Sequence, residues 1–267
     1  APKAKVESSP RVLGWDAVGE VIATGSEVTL FKAGDRVCAV VPNMPEAIVC
    51  FLAAASLGAV WSSCSPDFGE RGILDRFGQI EPKVLFVADG YRYAGREFDV
   101  LERVAEIAEG LPTLRKVVAV PHLNARPDVS VIPKAVLLDE WLRKHTPGEI
   151  QYAQMPFEHP AYILFSSGTT GTPKCIVHGA GGTLLEHLKE HRLHCDLRPG
   201  ERMYFHTSCS WMMWQWQLAA LASGVTLVLY DGPVDGAETL WSLVARERVQ
   251  VFGTSPAYLR LGQSCAL

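Results

Sequence analysis

The sequence has no CxxC pair, no GxGxxG string and no excess of basic residues. Its seven cysteines, Cys38, Cys50, Cys64, Cys175, Cys195, Cys209 and Cys265, are odd in number and widely spaced. That pattern argues against a disulfide framework or a structural zinc site and leads us to expect reduced thiols in a cytoplasmic protein. With 25 basic against 29 acidic residues the net charge is -4, so the electrostatic footprint of nucleic-acid binding is missing. The longest apolar stretch, Ala47 to Trp61, is broken by Ser56 and Gly58 and falls short of the ~20 residues that span a bilayer. The opening APKAKVESSPR lacks the apolar run of a secretory signal. Neither a nucleic-acid nor a membrane partner is expected. What the chain does have is 267 residues, 48% of them hydrophobic and 20% charged. This is enough for a sizeable core in one large domain or two small ones.

Apolar runs alternate with helical patterns. Strands are expected at Arg36–Val41, Ala59–Cys64, Lys83–Ala88, Lys116–Val120, Ala161–Phe165, Arg202–His206, Val225–Tyr230 and Val249–Phe252. Helices are expected at Met44–Leu57, Phe68–Ile80, Glu97–Ile107, Leu137–His145, Thr183–Cys195, Gln215–Ala222 and Gly236–Arg248, with another beginning at Pro256–Leu261. Pro121 to Pro133 reads as a surface connection. Strands alternating with helices, and continuous rather than alternating apolar runs, predict an α/β fold whose mostly parallel sheet is covered on both faces. The first 35 residues read differently, as short strands joined by Gly turns, with a boundary near Gly34 to Val37.

The sharpest local feature is Ser166-Ser167-Gly168-Thr169-Thr170-Gly171-Thr172-Pro173-Lys174, directly after the strand YILF. Glycines at 168 and 171 open backbone angles that let successive N–H groups converge on an anion. Five hydroxyls add donors and Lys174 adds a compact positive charge. This is not the GxxxxGK[ST] loop, because Pro173 precedes Lys174 and Cys175 follows it. The residues alone point to phosphate binding; a hydroxyl-rich turn of no function is the plain alternative.

The nonapeptide resembles the phosphate-binding signature of the adenylate-forming enzymes. Flanking strings narrow the resemblance: Trp61 to Gly69 (WSSCSPDFG), Leu74 to Lys83 (LDRFGQIEPK), Lys174 to Gly182 (KCIVHGAGG), Glu186 to His191 (EHLKEH), Cys209 to Trp214 (CSWMMW) and Phe252 to Pro256 (FGTSP). These are similar to the acetoacetyl-coenzyme A synthetases. The resemblance implies an incomplete adenylate-forming N-terminal domain over residues 35–267. It implies an acid–thiol ligase of lipid and ketone-body metabolism. A carboxylate, acetoacetate or another short 3-oxo acid, would attack the α-phosphate of ATP, and coenzyme A would then displace AMP. ATP, Mg²⁺ and coenzyme A are thereby implied. Ser166, Ser167, Gly168, Thr169, Thr170, Gly171, Thr172 and Lys174 would bind phosphate, with Lys174, Thr169 and Thr170 acting in catalysis.

Other residues take expected roles from the same resemblance. Trp211, Met213, Gly253 and Thr254 would line the acyl pocket, although a Trp–Met cluster such as 211–216 is ordinary core material and Pro256 suits a plain helix start. Arg92 and Arg96 would meet the nucleotide of coenzyme A, a solvated pair being the alternative. His206, at a strand end, falls near the nucleotide or acyl site. His187, His191 and His194 sit at helical spacing, but Leu188 stands where a HExxH metal helix needs Glu, so a solvated or packed helix face is expected.

Two departures stand out. Relatives continue with adenine- and ribose-binding motifs, a hinge and a C-terminal domain carrying a catalytic lysine; these are missing, so an enzyme truncated and inactive alone is expected. Residues 1–37 resemble the GroES-like segment of medium-chain zinc-type alcohol dehydrogenases and quinone reductases, with Gly14-Trp15-Asp16 in place of a metal-binding Gly-His-Glu. A β-rich segment over 1–34, from a fused or mis-assembled gene, is the expectation. The alternatives are an NADPH-dependent quinone oxidoreductase fragment, for which no dinucleotide loop is present, and a non-catalytic truncated product.

Overall fold

Runs of small and branched apolar residues bounded by Gly and Pro make the strands. The computed structural model describes residues 32–166 and 171–264. In chain order the elements are β1 (Arg36–Val40), α1 (Pro45–Ser56), β2 (Val60–Cys64), α2 (Glu70–Phe77), β3 (Val84–Ala88), β4 (Gly90–Tyr93), β5 (Arg96–Asp99), α3 (Leu101–Glu109), β6 (Lys116–Val120), β7 (Ala135–Leu137) and α4 (Leu138–Leu142). They continue as β8 (Pro160–Phe165), β9 (Cys175–Gly179), α5 (Ala180–Lys189), β10 (Arg202–Phe205), α6 (Met212–Ala219), β11 (Thr226–Leu227), α7 (Glu238–Glu247), β12 (Val251–Gly253) and α8 (Pro256–Ser264). A π-helical turn, Glu190–His194, extends α5, and a 3-10 turn, Ala220–Ser223, extends α6.

The larger sheet runs β7-β6-β3-β1-β2-β8-β9, parallel from β7 to β8 and antiparallel at the β8–β9 edge. Alternation along each strand divides the core in two. Val37, Ala39, Trp61, Phe86 and Val118 face a cluster shared with α1 and α6. Cys38, Val40, Leu85, Val87 and Val117 face a second cluster with Ile73 and Phe77 of α2 and Val104 and Ile107 of α3. Both faces of the central strands are thus covered, as the continuous apolar runs require. A smaller parallel sheet, β11-β10-β12, carries its own cluster around Tyr204, Leu240 and Leu243.

Four expectations need correction. Glu97 does not open a helix: β4 and β5 form an antiparallel hairpin, and α3 begins at Leu101, whose N–H donates to Asp99 Oδ1 at 2.8 Å. Ala94 (φ 48°) and Gly95 (φ 72°) both adopt positive φ, which matches the twist of a two-residue hairpin turn. Cys175–Gly179 is a strand, and the helix after it starts at Ala180 rather than Thr183. Leu137 closes β7 before the short α4 begins. In the run Val225–Tyr230 only Thr226–Leu227 is strand, because β11 is an edge strand with a ladder on one side.

Residues 1–31, which carry most of the GroES-like resemblance, lie outside the described residues. From residue 34 on the chain already belongs to the large sheet: Gly34 N–H donates to Gly58 O at 2.8 Å, and Val60 N–H donates to Asp35 O at 2.9 Å. Among the described residues no helix is long and apolar enough to cross a membrane.

Candidate active site

The nonapeptide connects the antiparallel strands β8 and β9. Its foot is closed by Ser166 N–H donating to Lys174 O at 3.0 Å, and by Lys174 N–H donating to Ser166 Oγ at 3.3 Å. Gly171 has φ +104°, a backbone that residues with a side chain rarely adopt. Thr172 and Lys174 are exposed. Ser167, Gly168, Thr169 and Thr170 lie outside the described residues. The foot is fixed from α2: Gln79, just past the helix end, donates through Nε2 to Pro173 O at 2.8 Å and faces Cys175 Sγ with Oε1 at 3.6 Å.

Beside this foot lies a cleft lined by Ser63 and Cys64 of β2, Leu164 and Phe165 of β8, Phe68 and Arg76 around α2, and Ser210 and Trp211 before α6. It opens at the carboxyl ends of neighbouring parallel strands, where ligands enter open α/β sheets. The wall is built by hydrogen bonds between the two sheets. Trp61 Nε1 donates to Ser63 Oγ at 3.1 Å, and that hydroxyl donates to Cys209 O at 2.7 Å. Ser65 N–H donates to Ser210 Oγ at 2.6 Å, and the Cys209 thiol points at Val41 O at 3.0 Å. The segment 206–211, running from the end of β10, is thereby fastened over the end of β2. Burial pushes the Cys209 thiol up to about 12 and raises Cys64 further, so neither is a thiolate nucleophile at neutral pH.

Of the expected acyl-pocket residues, Trp211 lines the cleft and is 57% exposed. Met213 lies two residues on, in α6. Gly253 and Thr254 sit at the end of β12 in the smaller sheet, and Thr254 Oγ1 is buried without a hydrogen-bond partner among the described residues. A Cβ on Gly253 would meet Phe205 Cδ2 at 2.1 Å, so a side chain here would force the Phe205 ring to shift. The cleft therefore takes Trp211 and none of the other three. Trp214 is core: its Nε1 donates to Asn43 Oδ1 at 2.9 Å in full burial. His206 Nδ1 lies 2.9 Å from Tyr204 Oη, and burial of the ring lowers its pKa. His187 and His191 are buried, while His194 is exposed.

Arg92 and Arg96 line a separate groove on the β4–β5 hairpin, together with Tyr93, Glu97 and Pro233. Arg92 is already ion-paired across the hairpin, Nη2 to Glu97 Oε1 at 2.8 Å, so an incoming phosphate competes with that carboxylate. The hairpin is anchored at Asp89. This buried carboxylate accepts the backbone N–H groups of His122 (2.6 Å), Leu123 (2.9 Å) and Asn124 (2.7 Å). Gly90 follows where a Cβ would meet Leu123 Cδ1 at 2.3 Å.

These features can be set beside known proteins. The model of the family described as "AMP-binding enzyme" matches residues 30–262. The chain belongs to that family. An acetoacetyl-coenzyme A synthetase of Rhizobium meliloti is 53% identical over 256 residues, which is 92% of this chain and 39% of the relative. The Mus musculus acetoacetyl-CoA synthetase is 47% identical over 85% of this chain and 35% of the relative. A malonamoyl-CoA synthetase of Penicillium aethiopicum is 45% identical over 78% of this chain. The solved acetoacetyl-CoA synthetase of Streptomyces lividans superposes with a TM-score of 0.82 at 45% identity, over 89% of this chain and 36% of that structure. The chain thus spans between 30% and 39% of the length of these relatives. The comparisons lend no support to the quinone oxidoreductase alternative.

Sequence reasoning missed Arg76, Gln79, Ser63 and Ser210 as parts of the site. Arg76 is in the last turn of α2 and Gln79 lies two residues past its end, ahead of Pro82.

Proposed function

We propose that this AMP-binding chain supplies the polyphosphate-holding part of an acid–thiol ligase that activates acetoacetate. The observation that carries this is that the two ends of segment 166–174, Ser166 and Lys174, are joined beside a cleft at the carboxyl ends of β2 and β8. The carboxylate oxygen attacks the α-phosphorus of ATP. The bond from that phosphorus to the bridging oxygen breaks, and pyrophosphate leaves. Charge builds on the departing β- and γ-phosphates, where Lys174, the Ser166 hydroxyl and the turn's amides are its donors; a preorganised donor of this kind is worth about 3 kcal/mol. Thr169 and Thr170 are proposed beside them. In the second step the coenzyme A thiol attacks the acyl carbon and AMP leaves with both electrons of the acyl–oxygen bond, the thiol proton passing to solvent. Trp211, Met213, Gly253 and Thr254 are proposed around the acyl group, and Arg92 and Arg96 at the coenzyme's nucleotide.

Magnesium belongs to the family's chemistry, but the described residues hold no cluster of three or more His, Cys, Asp or Glu fit to bind a metal. Magnesium commonly enters such sites on substrate phosphate oxygens, and none of the steps assigned here depends on a protein ligand to it. A cytoplasmic location is part of the proposal; Cys38, Cys50, Cys64, Cys175, Cys195 and Cys209 are free thiols. A β-rich unit over 1–34 beside the AMP-binding unit of 35–267 is likewise proposed.

The test is ATP–pyrophosphate exchange in the presence of acetoacetate, malonamate or acetate, backed by direct titration of pyrophosphate. We expect exchange with acetoacetate in a protein that carries the remainder of the relatives' length. In the chain itself we expect pyrophosphate binding that Lys174→Ala weakens at least tenfold. Unchanged affinity in Lys174→Ala removes the turn from the site; exchange with malonamate alone moves the substrate.

A further inference from the structure

Among the described residues, Arg76 is the one arginine that lines the cleft. Arg71, Arg126, Arg143 and Arg202 are ion-paired with Asp75, Glu140, Asp139 and Glu247. Among the described residues no carboxylate comes within 4.0 Å of the Arg76 guanidinium. Its Nη1 donates to Gly72 O at 2.6 Å, one turn back, and its carbon lies over the Phe68 ring at 4.9 Å from the centroid. These contacts hold the stem and one face of the guanidinium, and they leave most of its five N–H groups without an acceptor among the described residues. The side chain is half-buried and lines the cleft together with Phe165, the residue from which the 166–174 turn departs.

The same helix end is tied to the turn's exit. Gln79 bonds Pro173 O at 2.8 Å, directly before Lys174, and donates back to Asp75 O at 2.6 Å. Arg76 therefore shares the cleft wall with Phe165 at the end of β8, while Gln79 holds the chain where it returns into β9. The plain alternative is that a cation in the last turn of α2 merely offsets the helix dipole. That role needs neither the stacking on Phe68 nor a place in the cleft wall, and exposed solvent would serve it better.

We propose that Arg76 is a second cation of the polyphosphate site. Its free N–H pair would take non-bridging oxygens of the phosphate chain that the 166–174 turn grips. This rests on the ligase reading above and adds a contact from outside the turn. A planar fork held in place in advance binds two phosphate oxygens with less loss of freedom than a mobile lysine.

The experiment is calorimetric titration of the full chain with inorganic pyrophosphate, ATP and coenzyme A, in parallel with thermal melts. The proteins are the parent, Arg76→Gln, Arg76→Lys and Lys174→Ala. The result expected is a roughly tenfold weaker pyrophosphate affinity in Arg76→Gln, a flatter salt dependence, and partial recovery in Arg76→Lys, which keeps the charge but loses the fork. Arg76→Lys also keeps a long stem over Phe68, and so reports on binding should the glutamine variant unfold. A lowered melting temperature with pyrophosphate affinity unchanged overturns the proposal in favour of the helix-end role. An effect confined to coenzyme A overturns it as well. Should Lys174→Ala weaken binding while both Arg76 variants match the parent, the ligase reading stands and this inference alone falls. A parent chain that binds no polyphosphate at all removes both.

Discussion

Asp89→Asn is the substitution that most directly tests how the fold carries its outer groove. Asp89 follows β3, is fully buried, and uses both carboxylate oxygens. Oδ1 accepts from the His122 and Leu123 amides; Oδ2 accepts from the Asn124 amide at 2.7 Å and from Asn124 Nδ2 at 3.2 Å. An asparagine keeps one oxygen and turns an NH₂ group toward whichever donors lose the other. Its oxygen best serves the paired His122 and Leu123 amides, leaving Asn124 facing a donor. Hydrogen bonds to a charged group contribute about 1.5–3 kcal/mol each, and an orphaned donor costs about 1–3 kcal/mol. Asn124 is exposed and regains water, which lowers the sum. A loss of about 3 kcal/mol is expected, a large fraction of a typical stability of ~5–15 kcal/mol. Urea unfolding followed by tryptophan fluorescence reads it, and protease cleavage within 121–126 should quicken because that segment loses its anchor. A loss below ~1 kcal/mol with unaltered cleavage would refute the idea that the carboxylate organises the β3–β4 and β6 ends.

Other outcomes follow from burial. His191 is fully buried against the Trp216 ring, 4.6 Å between centroids, and burial lowers its pKa to about 4, with His187 adding to the shift and Glu186 and Glu190 opposing it. An unfolded histidine titrates near 6.5, so its stability contribution is intact above that pH and is lost as pH falls through 4, by about 3 kcal/mol in all. Unfolding free energies measured from pH 7 to 3.5 should show this slope, and His191→Gln should flatten it; parallel curves would place the titration elsewhere. Gly253→Ala forces a Cβ into the Phe205 ring and should cost about 1–3 kcal/mol through overpacking, read as a lower melting temperature. An unchanged melt would mean that Phe205 moves freely.

The central strands were legible because their residues are covered on two faces and therefore read as unbroken apolar runs. The outer elements were not. Arg96-Glu97-Phe98-Asp99 has the look of a helix start, and what makes it a strand is the positive-φ pair Ala94–Gly95 together with the stacking of Tyr91 on Phe98 at 5.0 Å. Cys175–Gly179 was hidden because an edge strand with Ile176 and Val177 exposed shows no burial alternation. At the site, the proposed phosphate-binding role of the turn rests on its Gly, Ser and Thr content and its lysine. Arg76 and Gln79 were not legible, because their meaning comes from how the end of α2 meets the β8–β9 connection, and that is set by tertiary packing.

The central claim is that the turn between Phe165 and Cys175 grips the phosphates of a nucleoside triphosphate. A crystal structure with a non-hydrolysable ATP analogue tests it most directly. The account predicts phosphate density inside the turn, within hydrogen-bond reach of Lys174 Nζ and of the backbone amides. An analogue bound elsewhere, with the turn empty and Lys174 directed into solvent, would contradict it.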